Sequence, residues 1–234
     1  MRIELLFPEV CSLFGELANI KYLADSVPGA QIIKTSLNQT PAFVSGNADM
    51  IYMGSMTEGI QKTAAERLLP YKEYLEEYIE NGKPALATGN ALEIFSAGIE
   101  SEDGSFIKGL ELFSVTAKRN MKKRFNSLYL GMFEGIEVVG FKSQFSHSFG
   151  DNSDCFFADT VRGTGLNPEN PREGLKRNNF IATYLLGPLL VLNPLLTSWF
   201  TEKLGSGGEP AFYDAAMSSY SARLAEFKNN KTRY

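Results

Sequence analysis

The 234-residue sequence predicts an α/β fold, a mostly parallel sheet with helices on both faces. Three observations predict it. Short apolar runs alternate with longer segments of helical periodicity through the first hundred residues. Chain-breaking pairs, Pro28-Gly29 and Asn81-Gly82, stand where each helical pattern stops. Finally, residues 83–95 read as a buried strand, a sharp turn and a helix, an arrangement that can hold a reactive group at the C-terminal edge of a parallel sheet.

Taken in order, residues 3–7 form a first apolar strand and residues 13–23 carry helical spacing that ends at Pro28-Gly29. Residues 31–34 are a short β-branched run, and residues 49–54 a third strand ending on Gly54. Leu68, Leu69, Leu75, Tyr78 and Ile79 can share one face of a helix over residues 64–79. Asn81-Gly82 stops it and Pro84 opens the next strand. Residues 100–159 carry Gly, Ser and Asp turns between alternating runs such as 127–130 and 136–139, which predicts mostly antiparallel strands extending the same domain. Residues 167–178 read as a polar loop, 180–184 as a strand and 194–204 as a helix. Residues 205–208 form a hinge before a last helix over 211–227 and a basic tail over 228–234. The expectation is one domain spanning residues 1–234, with no internal repeat.

Apolar residues make up 44% and charged residues 21%, the balance of an ordinary soluble globular chain. A formal net charge of -4 argues against nucleic acid as the main partner. With only Cys11 and Cys155, neither a disulfide framework nor a cysteine metal cluster is expected, and both read as small hydrophobes. The longest apolar stretch, residues 184–192, is broken by Gly187 and Pro188 and is too short to span a bilayer. The chain starts on a strand-like run without a signal-peptide pattern. Cytoplasmic residence, without cofactor, metal or membrane partner, is the expectation.

Four segments carry a resemblance that covers nearly the whole chain. Leu13-Phe14-Gly15-Glu16-Leu17-Ala18-Asn19-Ile20 resembles a Leu-Tyr-Gly-Asp-x-Gly-Asn-Ile motif. Residues 48–54 resemble a strand leading to a Gly-rich loop, and residues 81–87 the strand before a nucleophile. Ala182-Thr183-Tyr184-Leu185-Leu186-Gly187-Pro188-Leu189-Leu190, with Asn193-Pro194, resembles Gly-Thr-Tyr-Leu-His-Gly-Pro-Leu-Leu and its Asn-Pro. The motifs are those of class I (triad) glutamine amidotransferases of the cobyric acid synthase type, and within them the glutaminase subunits of lipid II isoglutaminyl synthases. The resemblance implies a flavodoxin-like amidotransferase fold. It also implies a synthetase partner of the Mur-ligase type and a site for glutamine or another carboxylate.

In that family a cysteine thiolate at the elbow attacks the glutamine carboxamide, backbone N–H groups bind the oxyanion, and a histidine moves the protons. Carried onto this chain, the cysteine falls on Thr88 and the histidine on Leu186, and the carboxylate position of other triad enzymes falls on Pro188. An internal threonine lacks the terminal amine that activates threonine nucleophiles, and leucine transfers no proton. The resemblance therefore implies that glutaminase chemistry is lost. Gly54, Ser55 and Gly89 would remain as ligand-binding positions, with Arg124 reaching a carboxylate bidentately. The basic run Lys118, Arg119, Lys122, Lys123, Arg124 reads otherwise as a solvated strand face. Glu93 is expected on the surface of the elbow helix or capping a loop, and His147, the sole histidine, is an alternative catalytic residue.

The expected function is a catalytically degenerate amidotransferase-like subunit that serves as scaffold or partner of an amide-forming synthetase, taking part in peptidoglycan amidation. Two alternatives stand beside it. One is an active glutaminase or other amide hydrolase with a relocated site; the other is a small-molecule sensor using the old glutamine pocket.

Overall fold

A computed structural model describes residues 1–229, so the end of the basic tail, residues 230–234, lies outside the described residues. The first half is built from β1 (Arg2–Leu6), α1 (Leu17–Ser26), β2 (Gln31–Thr35), β3 (Met50–Met53), α2 (Glu58–Leu68), α3 (Lys72–Glu80), β4 (Ala85–Thr88) and α4 (Leu92–Phe95). Then come β5 (Gly98–Glu100), β6 (Phe106–Lys108), β7 (Thr116–Arg119), β8 (Phe125–Phe133), β9 (Ile136–Gln144), β10 (Ser146–Phe149) and β11 (Ala158–Arg162). The chain closes with β12 (Arg172–Glu173), β13 (Leu175–Arg177), β14 (Phe180–Thr183), α5 (Leu189–Leu192), α6 (Pro194–Lys203) and α7 (Tyr213–Lys228).

The main sheet has the order β13-β14-β4-β3-β1-β2, parallel throughout except for the edge strand β13. Its inner strands β14, β4, β3 and β1 are buried on both faces, which is why they read as continuous apolar runs rather than alternating ones. The two-residue period of a strand sorts their side chains between two cores. Ile3, Leu5, Met50, Tyr52, Leu86 and Ile181 pack with Ile20 and Leu23 of α1 and Leu196 and Phe200 of α6. Leu6, Ile51, Met53, Ala85, Ala87 and Ala182 face the other way, against Leu68, Leu75, Ile79 and Phe95 of α2, α3 and α4. Helices thus cover both faces, as the sequence predicts.

Glu4 is the exception on that second face, a fully buried carboxylate on an inner strand. It accepts hydrogen bonds from the N–H groups of Ala42 and Phe43 and from the Thr35 hydroxyl, pinning the β2–β3 connection to the sheet. Burial pushes its carboxyl above the ordinary range in spite of those donors.

Two expectations are corrected. The single helix over residues 64–79 is two, α2 and α3, separated by a 3-10 turn at Leu69–Tyr71. Pro70 supplies the break, because it has no N–H to continue the ladder. Residues 100–159 carry the mostly antiparallel strands expected of them. Their strands belong to two further four-stranded sheets, β10-β7-β5-β6 and β12-β11-β8-β9, and β5 pairs with β7 in parallel. The polar loop over 167–178 contains β12 and β13, since Glu173 and Leu175 are fully buried and Glu173 has a buried partner.

After Gly205, Gly207 and Gly208, all with left-handed backbone, α7 returns across the long β8–β9 hairpin. Tyr220 and Phe227 pack with Leu130 and Val139, and the Tyr220 hydroxyl donates to the Glu137 carbonyl at 2.7 Å. No helix among the described residues is long and apolar enough to cross a membrane.

Candidate functional site

The candidate site is the turn between β4 and α4. The run Ala85-Leu86-Ala87-Thr88 forms an inner strand between β3 and β14, so it ends at the C-terminal edge of the parallel sheet. Thr88 is the last strand residue, with extended backbone (φ -117°, ψ 150°). The left-handed residue is the next one, Gly89, at φ +61°. Strain therefore falls where no Cβ is present to oppose it. A Cβ added to Gly89 would lie 2.7 Å from the Ser55 Cβ and 2.9 Å from the Leu186 Cδ2. Leu186 thus closes over the turn, held by backbone hydrogen bonds in both directions with Phe141. Ser55, Thr88 and Leu186 are each at most 2% exposed.

The Gly54-Ser55-Met56 loop is tied to this turn and to the first helical turn. Met56 N–H donates to the Asn90 side-chain oxygen at 2.9 Å, and the Asn90 amide donates back to the Met56 carbonyl at 2.7 Å. Leu13 N–H donates to the Ser55 carbonyl at 3.2 Å. A Cβ on Gly54 would approach the Cys11 carbonyl to 2.6 Å, so the loop needs glycine there. The Met56 N–H is thus occupied from within the chain.

Thr88 points toward α1. Its hydroxyl lies 2.9 Å from the Tyr52 hydroxyl, which contacts the Glu16 carbonyl at 3.1 Å. The Glu16 carboxylate accepts from Asn19 at 2.9 Å and from the Gly187 N–H at 3.0 Å. Asn19 in turn accepts from Leu190 N–H at 2.7 Å. All four side chains are fully buried. Burial raises the Glu16 carboxyl above its ordinary range and the Tyr52 phenol well above its own, and the Glu16 charge adds to the rise at Tyr52. The sequence points to Thr88 and not to Glu16 or Tyr52, although Glu16 lies within the Leu13–Ile20 motif, which is the signal that it carries.

Below the elbow helix a second polar cluster forms. Glu93 is buried, not on a helix surface as expected, because Gln61, Arg119 and Tyr184 enclose it. Gln61 donates to it at 3.0 Å, the Arg119 guanidinium stands 3.7 Å away, and the Tyr184 hydroxyl donates at 3.3 Å. Burial raises the Glu93 carboxyl; Gln61 and the Arg119 charge oppose the rise. Arg119 also donates to Gln61, while its Nε has no partner. Arg119 therefore leaves the solvated basic run and enters the core.

The other candidates are dispersed. Arg124 is exposed, with its guanidinium 4.6 Å from the centre of the Phe145 ring. His147 lies on β10 opposite Lys118 and packs edge-on against Phe125 at 4.9 Å. Its Nδ1 is buried without a partner, and the hydroxyl bonded to Thr88 is that of Tyr52. Cys11 is buried, its thiol pushed up to about 12 chiefly by desolvation, and it bonds no other cysteine.

The model of the CobB/CobQ-like glutamine amidotransferase domain matches residues 2–193, from β1 to the end of α5. The chain belongs to this amidotransferase family. Two curated relatives extend the comparison. The lipid II isoglutaminyl synthase (glutamine-hydrolyzing) subunit GatD of Staphylococcus aureus (strain N315) is 24% identical over 197 residues, 82% of this chain and 79% of that protein. The GatD subunit of Streptococcus pneumoniae (strain ATCC BAA-255 / R6) is 22% identical over 240 residues, 98% of this chain and 92% of that protein. The fold is likewise similar to PurLQS from Thermotoga maritima (TM-score 0.56, 12% identity, 95% of this chain and 98% of that one). A second solved glutamine amidotransferase matches at TM-score 0.56 and 12% identity, over 86% of this chain and 98% of that one. The flavodoxin-like class I amidotransferase fold expected from the motifs is thus the fold this family member has.

Proposed function

We propose that this member of the amidotransferase family is a subunit without glutaminase chemistry, and that it serves as structural partner of an amide-forming synthetase of the Mur-ligase type. The observation that carries the reading is Gly89. An elbow nucleophile occupies the strained apex of its turn. Here the apex has no side chain, and Ser55 and Leu186 fill the space a side chain would need. We infer that the nucleophile position is Gly89 rather than Thr88, one residue further along than the motif comparison implies. Leu186 cannot act as base, and Pro188 cannot orient one. The oxyanion-binding capacity of Met56 N–H is taken by Asn90. The partner is inferred from likeness to GatD, whose name records a subunit role. We propose that the chain takes part in peptidoglycan amidation, a reading the same likeness supports, and that it does so in the cytoplasm.

Two measurements test this reading. The purified chain, alone and with the Mur-ligase-type protein of its own organism, is assayed for ammonia release from glutamine and for complex formation by gel filtration. We expect a stable complex and no ammonia above background. Ammonia release abolished by Thr88→Ala would instead support a relocated site built on the Thr88–Tyr52–Glu16 chain. Release lost with His147→Ala and kept with Thr88→Ala would place that site on β10.

A further inference from the structure

The β7–β10 pair separates two environments. Ser146 and Ser148 of β10 are buried; Ser148 meets the Tyr184 hydroxyl at 2.8 Å, within the cluster around Glu93. His147 and Phe149 alternate with them and face the other way. On that outer side lies a cavity of about 420 Å³, whose lining includes Lys118, Lys123, Phe125, Phe145, His147, Phe149 and Glu169. Its size falls in the range of small-molecule sites, roughly 300–1,000 Å³.

The lining combines flat rings with cations. Phe125 packs edge-on against the His147 ring at 4.9 Å and 64°. The Arg124 guanidinium sits 4.6 Å from the Phe145 centroid, and the Lys118 ammonium 5.6 Å from that of Phe149. A ring face attracts a cation through its quadrupole, and the cation's N–H groups are strong donors to a phosphate or carboxylate. Two acidic groups stand near them, Glu169 in the lining and Glu100 at 3.9 Å from Lys118. This concentration of positive charge stands out in a chain whose net charge is -4. His147 adds no charge at neutral pH: burial first, then the Lys142 charge, lowers its pKa. The ammonium groups are therefore the anion's partners, and the phenylalanine rings are stacking surfaces.

We propose that this cavity binds a small anion carrying a planar ring, its phosphate or carboxylate held by Lys118 and Lys123 and its ring packed among Phe125, Phe145 and Phe149. The site lies on the opposite face of β10 from the elbow and does not depend on the loss of glutaminase chemistry. A small molecule is favoured over a nucleic-acid strand, because a net negative chain repels a polyanion beyond the cavity itself.

The test is calorimetric titration of the full chain with AMP, adenosine, inorganic phosphate and indole-3-acetate. We expect AMP or indole-3-acetate to bind about tenfold or more tightly than adenosine or phosphate alone, since ring and anion contribute together. AMP as the better ligand assigns a phosphate, indole-3-acetate a carboxylate. Lys118→Ala with Lys123→Ala, both at exposed positions, should weaken binding about tenfold or more without shifting the melting temperature. Phe145→Ala should weaken it as well, and circular dichroism of that variant reports its folding. The proposal is overturned if no probe binds at millimolar concentration, or if binding survives the double lysine substitution. It is also overturned if a short single-stranded RNA binds more tightly than AMP, with affinity that grows with its length.

Discussion

At Gly89 a single residue type settles what the turn can do. Its backbone is left-handed and its missing side chain leaves no gap, because Ser55 and Leu186 already touch the space. Gly89→Ala should therefore destabilise the chain by two additive effects, roughly 1–2 kcal/mol for the left-handed backbone and about 1–3 kcal/mol for overpacking. Urea unfolding checks it, and Ser55→Gly in the same chain should restore about 1 kcal/mol by removing the nearer contact. A loss no larger than that of an ordinary surface change would mean that the turn relaxes freely and that Gly89 is not constrained. This residue also marks what the sequence left illegible. The strand–turn–helix pattern was plain from Ala85-Leu86-Ala87 and Gly89-Asn90, but which residue carries positive φ depends on how β4 registers against β3 and β14. Glu93 and Arg119 were misread for a related reason. A charge looks solvated in one dimension, and only the packing of α2, α4 and β7 brings Gln61, Glu93 and Arg119 together.

Among the elements, β14 is fixed from an unexpected direction. Its end carries Thr183 and Tyr184, and the Glu173 carboxylate accepts from the Thr183 hydroxyl at 2.8 Å and from the Tyr184 N–H at 2.9 Å. The other Glu173 oxygen pairs with Lys142 of β9, whose ammonium donates to the Gly165 carbonyl at 2.6 Å and lies 5.7 Å from the rings of Tyr129 and Tyr184. Burial lowers the Lys142 pKa, and the Glu173 charge opposes the fall. The pair joins β9, β12 and β14 and so positions the segment that carries Leu186. Breaking one side leaves a buried ion without its partner, so Glu173→Ala should cost about 3–5 kcal/mol in chemical unfolding. Lys142→Met combined with Glu173→Gln keeps an acceptor for the Tyr184 N–H and removes both charges, and should be less destabilised than Glu173→Ala. Equal losses in the two proteins would show that the ion pair itself contributes nothing. The sequence made the core strands legible through their apolar runs, whereas β12 was hidden inside a polar stretch because its buried residue is a glutamate.

Across the whole molecule, two cores sandwich the main sheet, and three of the buried carboxylates, Glu4 on β1, Glu16 at the start of α1 and Glu93 on α4, have pKa values raised chiefly by desolvation. The sign of the linkage follows from that direction. A carboxyl that binds its proton more tightly in the folded chain contributes stability below its unfolded pKa, and loses that contribution as pH rises through the folded pKa. Glu16 offers the cleanest measurement, since its neighbours Asn19, Tyr52, Thr88 and the Gly187 N–H include no second carboxylate. Urea unfolding of the original chain and of Glu16→Gln is compared from about pH 4.5, the unperturbed carboxyl value, upward to mild alkalinity. Taking the difference removes the groups both proteins share, including Lys142 and the exposed carboxylates of Asp103, Glu111 and Asp151, whose pKa values are lowered. The stability of the original chain relative to Glu16→Gln should fall steadily as pH rises, by about 1.4 kcal/mol for each pH unit by which the folded pKa exceeds the unfolded one. A relative stability that rises with pH would mean that Glu16 is held ionised by its donors. The chain Thr88–Tyr52–Glu16 would then contain a charged base at the elbow, and the reading of an inert turn would fail with it.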